Sequence, residues 1–535
     1  MDKNTELFLS ALDMLDEKLI ESALEVIEEP KRTEIISSDE LIICEKQSNK
    51  ANHISLIALS AACIAVIVAV STLLMLITSD KVSVMDSYSS FVSELFSSAE
   101  IITSSDENSF ENIDVKEKIK LLTYYVPDGN EPFYDIFREL YGTPELTPDG
   151  YEAYENDIFA IKKVSINETF KELSVMINSD SSPDIMPATS FQHYEAEYYA
   201  KYGYKDDGSP VFSEINDVID INDPLWDNVR YLNECSIVGG RQYLAVTGIS
   251  VDEMRFLWYR KSNIEKYDLP DPYELYLNGK WDTAAFSQLA ESYSSHNPEN
   301  AFLSSEDFDL APNFVLATGK SFVEISNGKY VTNFNDKSVI DSMGFLDKLI
   351  SNYSIDIRDG STLFGFINAN PLFFITMTDQ LNAGMKNINS DNDIAFVPFP
   401  KKDKTSEYSY QVFTNGYYLC KGGNPDYFRA VVTAQLIAEN SGKANEYLLK
   451  QKKQNGWNEE LLEKLEHVID ETKKKPVIDL YYSLVSIAHR EERNSSDIPK
   501  MMYPVIYPVT GKMSYTEAVE SYAPYVEKAL EKLNY

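Results

Sequence analysis

The chain has 535 residues, of which 44% are hydrophobic and 25% charged, a composition typical of folded protein rather than of a disordered chain. Its 85 acidic residues outnumber its 48 basic residues and give a formal net charge of −37. Such an acidic surface repels nucleic acid and anionic lipid, so a nucleic-acid-binding role is excluded. The length allows about two to three domains.

The first segment, residues 1–53, is acidic and has helical periodicity. Its apolar side chains recur every three or four residues, while acidic side chains occupy the other faces. The apolar positions are Phe8, Leu12, Leu15, Leu19 and Ala23. The pattern predicts an amphipathic helix that is too acidic to lie on an anionic inner leaflet. A helix that binds a partner and a helix that packs locally are both open interpretations.

Residues 54–77 form an apolar run without charge or proline, ISLIALSAACIAVIVAVSTLLMLI. These 24 residues exceed the roughly 20 that cross a bilayer as a helix, so we predict a single transmembrane helix. Lys46 and Lys50 precede the run and Lys81 follows it. This slight excess of positive charge favours a cytoplasmic position for the N-terminal tail.

A cleaved lipoprotein signal, with Cys63 as the lipidated residue, is the alternative to this span. Ser60 stands where such signals carry a large aliphatic residue, and the apolar run continues well past Cys63. Signal peptides have short leaders and end at their cleavage site, whereas a long acidic segment precedes this run. The transmembrane anchor is therefore the preferred interpretation.

Residues 78–117 are rich in serine and acidic residues and predict a solvated stalk. An apolar stripe formed by Val84, Tyr88, Phe91 and Leu95 predicts a short helix within it. From residue 118 the pattern changes to alternating strands and helices. This change marks the start of a large outward-facing domain, residues 118–535.

The opening of that domain alternates short apolar runs with helical patterns. Strands are predicted over residues 118–125 and 158–164, and helices from Phe133 and over residues 168–177. A turn at Pro183 leads into a further strand. Strands that alternate with helices imply parallel sheets covered by helices, which is an α/β fold.

Further short motifs follow in a characteristic order. They are the Ser-x-x-x-Pro-Asp-Ile stretch at 179–185, INDPLW at 221–226, GGRQY at 239–243, FLWYRKS at 256–262, DPYELYLNGKW at 271–281, IAFVPFP at 394–400 and NGYYL at 415–419. In order and spacing these motifs resemble the extracellular solute-binding protein family that serves ABC importers, the class that contains the maltose-binding-like proteins. The resemblance covers most of residues 118–535.

Two places depart from that family's pattern. Asp282 and Thr283 follow Trp281 where many relatives carry a second aromatic residue. Ala369 replaces a glycine and Phe373 replaces a methionine. We expect the fold to survive both changes, but the ligand of a relative cannot be transferred to this chain.

The resemblance implies a two-lobed periplasmic-binding-protein-like fold of type II, preceded by the transmembrane helix, with a cleft that closes over a solute. A carbohydrate is the first expectation, because 35 tyrosines and 26 phenylalanines supply rings for stacking. The loops that line the cleft in this family select eight ligand-binding candidates. They are Tyr125, Asp128, Asp184, Thr189, Thr247, Trp258, Met377 and Tyr417. Core packing for Trp258 and capping of turn amides for Asp184 are the structural alternatives.

The resemblance thus predicts a membrane-anchored extracellular protein that captures a small solute for the permease subunits of an ABC importer. The alternative is a transmembrane sensor that signals through its acidic tail, since a delivery protein needs only an anchor. A surface hydrolase is a third interpretation. The sequence has no HExxH, GxSxG or P-loop motif, so we expect neither an enzyme nor a cofactor.

The four cysteines are Cys44, Cys63, Cys235 and Cys420, and none forms a CxxC pair. We therefore expect neither a disulfide framework nor a structural zinc site. A bond between Cys235 and Cys420 has no support from their spacing.

Overall fold

The computed structural model describes residues 113–148, 151, 154–166, 168–189, 193–204, 208–358, 370–382, 385, 392–484 and 498–534. The predicted tail, the predicted span at 54–77 and the stalk up to residue 112 lie outside the described residues. Within the described residues, none of the helices combines the length and the apolar character that crossing a membrane requires.

The strands of the described residues are, in chain order, β1 (Ile119–Thr123), β2 (Tyr154–Glu155), β3 (Phe159–Lys163), β4 (Ile185–Thr189), β5 (Leu244–Ile249), β6 (Arg255–Arg260), β7 (Leu303–Glu306), β8 (Val323–Ser326), β9 (Lys329–Thr332), β10 (Ile355–Arg358), β11 (Phe373–Met377), β12 (Ile394–Val397), β13 (Tyr410–Val412), β14 (Thr414–Leu419) and β15 (Pro476–Ile478).

The α-helices of these residues are α1 (Pro132–Tyr141), α2 (Thr169–Asn178), α3 (His193–Tyr202), α4 (Arg230–Glu234), α5 (Lys261–Lys266), α6 (Pro272–Leu277), α7 (Thr283–His296), α8 (Asp307–Leu316), α9 (Lys337–Asn352), α10 (Thr378–Asn382), α11 (Pro425–Asn440), α12 (Lys443–Gln454), α13 (Glu459–Lys474), α14 (Ile498–Val509) and α15 (Tyr515–Glu531). The strands and helices predicted at the start of the domain are confirmed as β1, α1, β3, α2 and β4, with ends that differ by one or two residues.

Lobe 1 is built on a six-stranded sheet with the order β2-β3-β1-β4-β14-β5. β1 is parallel to β3 and β4, while β14 is antiparallel to β4 and β5. β1 is buried at four of its five residues, as expected for a strand covered by helices on both faces. Its core cluster includes Phe137 of α1, Leu244 of β5 and Val431 of α11.

Lobe 2 is built on a five-stranded sheet with the order β10-β7-β11-β6-β12. β7, β10 and β11 are parallel to one another, and β6 runs antiparallel to β11 and β12. The core of this lobe includes the fully buried Trp258, Trp281 and Phe286. Phe373, at one of the departures from the family pattern, opens β11 and is fully buried in the same core.

The chain crosses between the lobes at three places. The first crossing joins β5 to β6 through residues 250–254, and the second returns through β13 to β14. The third is α12, which packs on the lobe 1 core at Ala444 and on the lobe 2 core at Leu448 and Leu449. β15 pairs with β13 and reinforces the second crossing.

Local sequence explains where several helices begin. Pro132 opens α1, at a position where its missing N–H and fixed φ are favourable. The side chains of Asp336 and Asn424 accept backbone N–H groups at the starts of α9 and α11. Ser514 and Glu517 form a capping box at α15. Cys235 and Cys420 are both free thiols.

Candidate solute-binding cleft

One edge of the lobe 1 sheet lies beside the crossings. β1, β4 and β5 run in one direction, because β14 is antiparallel to both of its neighbours. Their carboxyl ends and the amino end of β14 therefore share an edge. Ser250, which follows β5, donates its N–H to the carbonyl of Phe413 at 2.7 Å, and this contact places two crossings at that edge.

Lobe 2 presents the matching edge. Arg255, the first residue of β6, is opposite Met377, the last residue of β11, in the strand register. The carboxyl ends of β7, β10 and β11 therefore lie beside the first crossing. Ligands of open α/β sheets bind outside the carboxyl ends of the strands, so the space between these two edges is the candidate cleft.

Tyrosines and carboxyl groups gather at the lobe 1 edge, and we call Tyr125, Asp128, Glu131 and Tyr417 the acid–tyrosine cluster. Tyr125 is 44% exposed. The N–H of Asn130 donates to Asp128 at 3.0 Å and lowers the pKa of that carboxyl. Burial raises the pKa of Glu131, and the neighbouring Asp128 acts in the same direction. Burial also raises the pKa of Tyr417, with further contributions from Tyr125 and Glu131.

A third carboxyl group, that of Glu439 near the end of α11, lies against β5 of the same sheet. A Cβ atom added to Gly248 of β5 would come 3.0 Å from the Glu439 carboxyl, so the glycine makes room for it. Gln435 donates to Glu439 at 3.1 Å. Burial raises the pKa of Glu439 to about 7, and the hydrogen bond from Gln435 and the charge of Lys473 oppose this shift only in part.

Two predicted ligand residues, Thr189 and Thr247, lie on the strands that flank β14. Thr189 ends β4 and is paired in register with Asn415 of β14. Thr247 of β5 is buried, and its hydroxyl is 3.5 Å from the carbonyl of Asn415. Tyr125, Asp128 and Tyr417 also lie on lobe 1 near the crossings, so five of the predicted residues share this region. Met377 lies on the opposing edge of lobe 2.

Asp184 lies away from this edge, at the amino end of β4. Its side chain is 3% exposed and accepts the N–H groups of Lys120 at 2.8 Å and of Asn424 at 2.9 Å. Both carboxylate oxygens are thereby engaged in joining β1, β4 and the start of α11. This is the amide-capping role that the turn sequence also allowed.

Trp258 lies inside lobe 2 and is not exposed at all. Its indole N–H donates to the carbonyl of Thr376 at 3.1 Å, and its ring is 5.0 Å from Phe396 and 5.6 Å from Trp457. The structure therefore gives Trp258 core contacts on every side. Trp281 is equally buried, and its indole N–H donates to the carbonyl of Pro398 at 2.7 Å.

Sequence reasoning did not select Glu131, Glu439 or Asn415 as cleft residues. Glu131 directly precedes α1 and follows Asp128 by three residues, so its position could have been inferred from the loop. Glu439 had no such signal, because its neighbour Gly248 is far away in the sequence. Asn415 opens the NGYYL motif, and it is the exposed residue of β14.

A buried ion pair lies at the first crossing. Nε of Arg255 is 2.7 Å from a carboxylate oxygen of Asp309 on α8, and the side chains are 1% and 8% exposed. The guanidinium lies over the rings of Phe413 at 5.2 Å and Tyr482 at 4.9 Å. Arg255 thus links the first crossing to the second crossing and to lobe 2.

Lys452 makes a second buried connection between crossings. Its side chain is 1% exposed and forms an ion pair with Asp252 in the first crossing. It also donates to Asn382 of α10 at 3.2 Å and lies 5.3 Å from the centre of the Trp457 ring. The described residues contain no cluster of three or more His, Cys, Asp or Glu side chains placed to hold a metal ion.

Solved structures show what this architecture is similar to. A cyclo/maltodextrin-binding protein complexed with maltotetraose matches at TM-score 0.53 and 12% identity, over 79% of this chain and 99% of its own. The cyclic α-maltosyl-1,6-maltose binding protein of Arthrobacter globiformis matches at TM-score 0.51 and 13% identity, over 78% and 99%. The chain has the fold of the maltose-binding-like solute-binding proteins.

An uncharacterised protein of Listeria monocytogenes EGD-e has the same fold, with TM-score 0.53, 12% identity and coverage of 78% of this chain and 100% of its own. No family model matches the sequence, and no curated protein does. The structural similarity establishes a common fold. Because the sequence identities are low, the ligand has to be argued from the residues of this chain.

Proposed function

We propose that this protein captures a carbohydrate outside the cell and delivers it to an ABC importer, anchored by the predicted span at 54–77. The observation that carries the proposal is the cleft of a maltose-binding-like fold with tyrosines and carboxyl groups at its lobe 1 edge. Tyrosine rings stack on the apolar faces of sugars, and carboxylates accept hydrogen bonds from sugar hydroxyls. Two of the structural neighbours are binding proteins for cyclo/maltodextrin and for cyclic α-maltosyl-1,6-maltose.

The proposed ligand-binding residues are Tyr125, Asp128, Thr189, Thr247, Met377 and Tyr417, joined by Glu131 and Asn415. Asp184 is omitted because both of its carboxylate oxygens already accept backbone N–H groups. Trp258 is omitted because its indole N–H already donates to the carbonyl of Thr376 and its ring packs within the lobe 2 core.

The proposal is tested by titrating the full-length protein, in mild detergent, with linear and cyclic maltodextrins, monosaccharides and short peptides. One carbohydrate class should raise the melting temperature by a few degrees, since a ligand at one hundred times its Kd adds about 2.7 kcal/mol to stability. Tyr125→Ala should weaken that binding by about tenfold, the usual effect of losing one stacking ring.

Tyr154→Ala is the matched control. Tyr154 is 60% exposed and belongs to β2, at the outer side of the lobe 1 sheet. Its replacement should leave the carbohydrate affinity unchanged. If no carbohydrate binds, or if both tyrosine variants weaken binding equally, carbohydrate capture in this cleft is wrong.

The same proposal predicts the membrane topology, with the large domain outside the cell and the acidic tail inside it. Protease added to intact cells should remove the domain beyond about Thr78 and spare the predicted tail, residues 1–53. Protection of the large domain would reverse the orientation and contradict delivery to an importer.

A sensor is the second candidate, and the long acidic tail favours it, because delivery requires only an anchor. Carbohydrate binding is common to both candidates, so gene context separates them. Importer permease genes next to this gene support delivery, whereas signalling genes support the sensor.

A further inference from the structure

The carboxyl groups at the lobe 1 edge of the cleft have no cation of their own. Among the residues that the structure describes, no lysine or arginine forms an ion pair with Asp128, Glu131 or Glu439. The lysine whose charge reaches Glu439 is Lys473, and it forms an ion pair with Asp470 at 3.0 Å. When ionised, the three groups therefore carry negative charge that the described part of the chain leaves unneutralised.

Two carboxylates at the crossings show the opposite arrangement. Asp252 of the first crossing forms an ion pair with Lys452. Asp309 lies 2.7 Å from the guanidinium of Arg255. The protein thus supplies a cation to the carboxylates that hold the crossings, and it supplies none to those at the lobe 1 edge.

Glu131 has an unused acceptor within the acid–tyrosine cluster. Its Oε2 atom is buried and has no hydrogen-bond partner within the described part of the chain. Burial raises the pKa of Tyr125 and of Tyr417, and the charge of Glu131 raises both further, so this carboxyl group lies near both tyrosine side chains. A buried acceptor without a partner is costly, and a ligand group that donates to it is therefore favoured.

Tyrosine side chains accompany all three carboxyl groups. The charges of Glu131 and Glu439 both add to the effect of burial on the pKa of Tyr417, so Tyr417 lies within range of both. Burial also raises the pKa of Tyr447 on α12, and the charges of Glu131 and Asp128 add to that shift. The lobe 1 side of the cleft therefore combines aromatic rings with carboxylates.

A protonated amine satisfies both kinds of group. Its N–H groups donate charge-assisted hydrogen bonds to carboxylates, which are about twice as strong as bonds between neutral groups. Its charge is also attracted to the faces of tyrosine rings. No three His, Cys, Asp or Glu side chains of the described residues are placed to share a metal ion, so the spacing of these carboxyl groups favours a larger, organic cation.

We propose that the solute captured in the cleft is a cationic carbohydrate, an amino sugar whose protonated amine binds at Asp128, Glu131 and Glu439. The proposal rests on the proposed function, because it specifies the ligand class of the same cleft. The sugar ring stacks on Tyr125, and the ammonium group supplies the positive charge that the protein does not. Its approach favours the ionised form of Glu131 and Glu439, so both are carboxylates in the complex.

The test compares sugars that differ in one substituent. Glucosamine carries an ammonium group on carbon 2, N-acetylglucosamine carries a bulkier neutral amide there, and glucose carries a hydroxyl group. Galactosamine and mannosamine are compared with their parents in the same way, and β-1,4-linked tetramers extend the glucose series. Spermidine serves as an amine that is not a carbohydrate.

Titration calorimetry of the full-length protein in mild detergent measures each Kd. One amino sugar or its tetramer should bind at least tenfold more tightly than both the parent and the N-acetyl derivative. A hydrogen bond to a charged group contributes about this factor to an equilibrium.

Glu131→Gln removes the charge and keeps the shape of the side chain. It should lower the ratio of amino-sugar affinity to parent-sugar affinity by about tenfold. Glu131→Asp retains the charge and should keep most of that ratio. The matched control is Glu139→Gln, at an exposed position on α1 of the same lobe, and it should leave the ratio unchanged.

The outcomes separate this proposal from the proposed function. A parent sugar that binds as tightly as its amino derivative refutes the cationic class and leaves carbohydrate capture intact. Binding of spermidine without any sugar refutes carbohydrate capture and supports the cation site. If neither the sugars nor spermidine bind, both proposals are wrong. If Glu131→Gln and Glu139→Gln change the ratio equally, the amine does not bind at this cluster.

Discussion

A buried ion pair of lobe 2 and a buried carboxyl group of lobe 1 differ in how their charge is accommodated. In lobe 2, Arg255 and Asp309 lie 2.7 Å apart and are 1% and 8% exposed, so a buried cation faces a buried anion. In lobe 1, Glu197 of α3 is 2% exposed, and among the residues that the structure describes neither of its carboxyl oxygens has a hydrogen-bond partner. Burial raises the pKa of Glu197 well above its usual value.

The difference shows that burial alone does not determine the charge of a side chain. A buried carboxylate beside a guanidinium is stabilised as an ion, whereas one without a partner is stabilised as the neutral acid. The ion pair between Arg255 and Asp309 therefore stabilises the first crossing where it enters lobe 2. Lobe 1 contains carboxyl groups whose protonation depends on folding, and its stability should depend on pH.

The largest effect is expected when the ion pair of lobe 2 is broken. Asp309→Ala leaves the Arg255 charge buried without its partner and should reduce the free energy of unfolding by about 3–5 kcal/mol. Chemical denaturation measures this loss. Replacing both residues, as Arg255→Met/Asp309→Leu, should restore only part of it, because the unpaired cation is removed but the buried Asp479 then loses the neighbouring charge that opposes the rise of its pKa.

Asp341→Ala is the control on the same lobe. Asp341 pairs with Lys337 and Lys402 at 2.8 Å, but its side chain is 34% exposed. Its loss should reduce the free energy of unfolding far less than Asp309→Ala does, because solvent screens an exposed pair. Equal effects of Asp309→Ala and Asp341→Ala would contradict the contrast between buried and exposed pairs.

An intermediate effect is expected at Glu197 of lobe 1. Because the folded-state pKa lies above the unfolded one, the folded protein binds more protons, and stability falls as pH rises above about 4.5. Glu197→Gln removes this titration. The variant should match the unmodified protein near pH 4 and exceed it by about 2 kcal/mol near pH 7.

Glu139→Gln provides the comparison for Glu197, since Glu139 is exposed on α1 of the same lobe. Its denaturation curves should follow those of the unmodified protein at every pH. If Glu197→Gln also follows them from pH 4 to pH 7, the buried carboxyl is not neutral in the folded protein.

Local sequence patterns predicted part of the fold, whereas roles that depend on distant contacts could not be predicted from the sequence. The fold was accessible because strand runs, helix periodicity and motif order are local patterns, and β1, β3 and β4 lie where those patterns indicated. The Pro-Asp-Ile motif also located β4 correctly. The role of Asp184 depends on Lys120 and Asn424, which contact it from distant parts of the chain.

Burial of charge was equally inaccessible to sequence. Glu197 and Glu139 are both glutamates on lobe 1 helices, and only tertiary packing distinguishes them. Trp258 occurs in an apolar strand that is compatible with a cleft and with a core, and its contact with Trp457 requires the folded lobe. The ligand-binding roles of Tyr125, Asp128, Thr189, Thr247, Met377 and Tyr417 remain predictions.

The smallest effect is expected at Glu439, the half-buried carboxyl beside the cleft. Its folded-state pKa of about 7 lies above the unfolded value near 4.5, so stability should fall between these two pH values and then level off. Partial exposure reduces the effect to about 1 kcal/mol. Glu439→Gln, whose amide oxygen can still accept from Gln435, should be more stable by this amount at pH 8 and equal at pH 4.

The pH interval distinguishes Glu439 from Glu197. Denaturation at half-unit steps from pH 4 to pH 8 should place most of the change at Glu439 below about pH 7, with no further change above it. Glu446→Gln, at an exposed position on α12, is the control and should show no such step. If Glu439→Gln differs from the unmodified protein by the same amount at all pH values, its benefit comes from packing rather than from titration. Carboxyl burial at the cleft would then not make this lobe sensitive to pH.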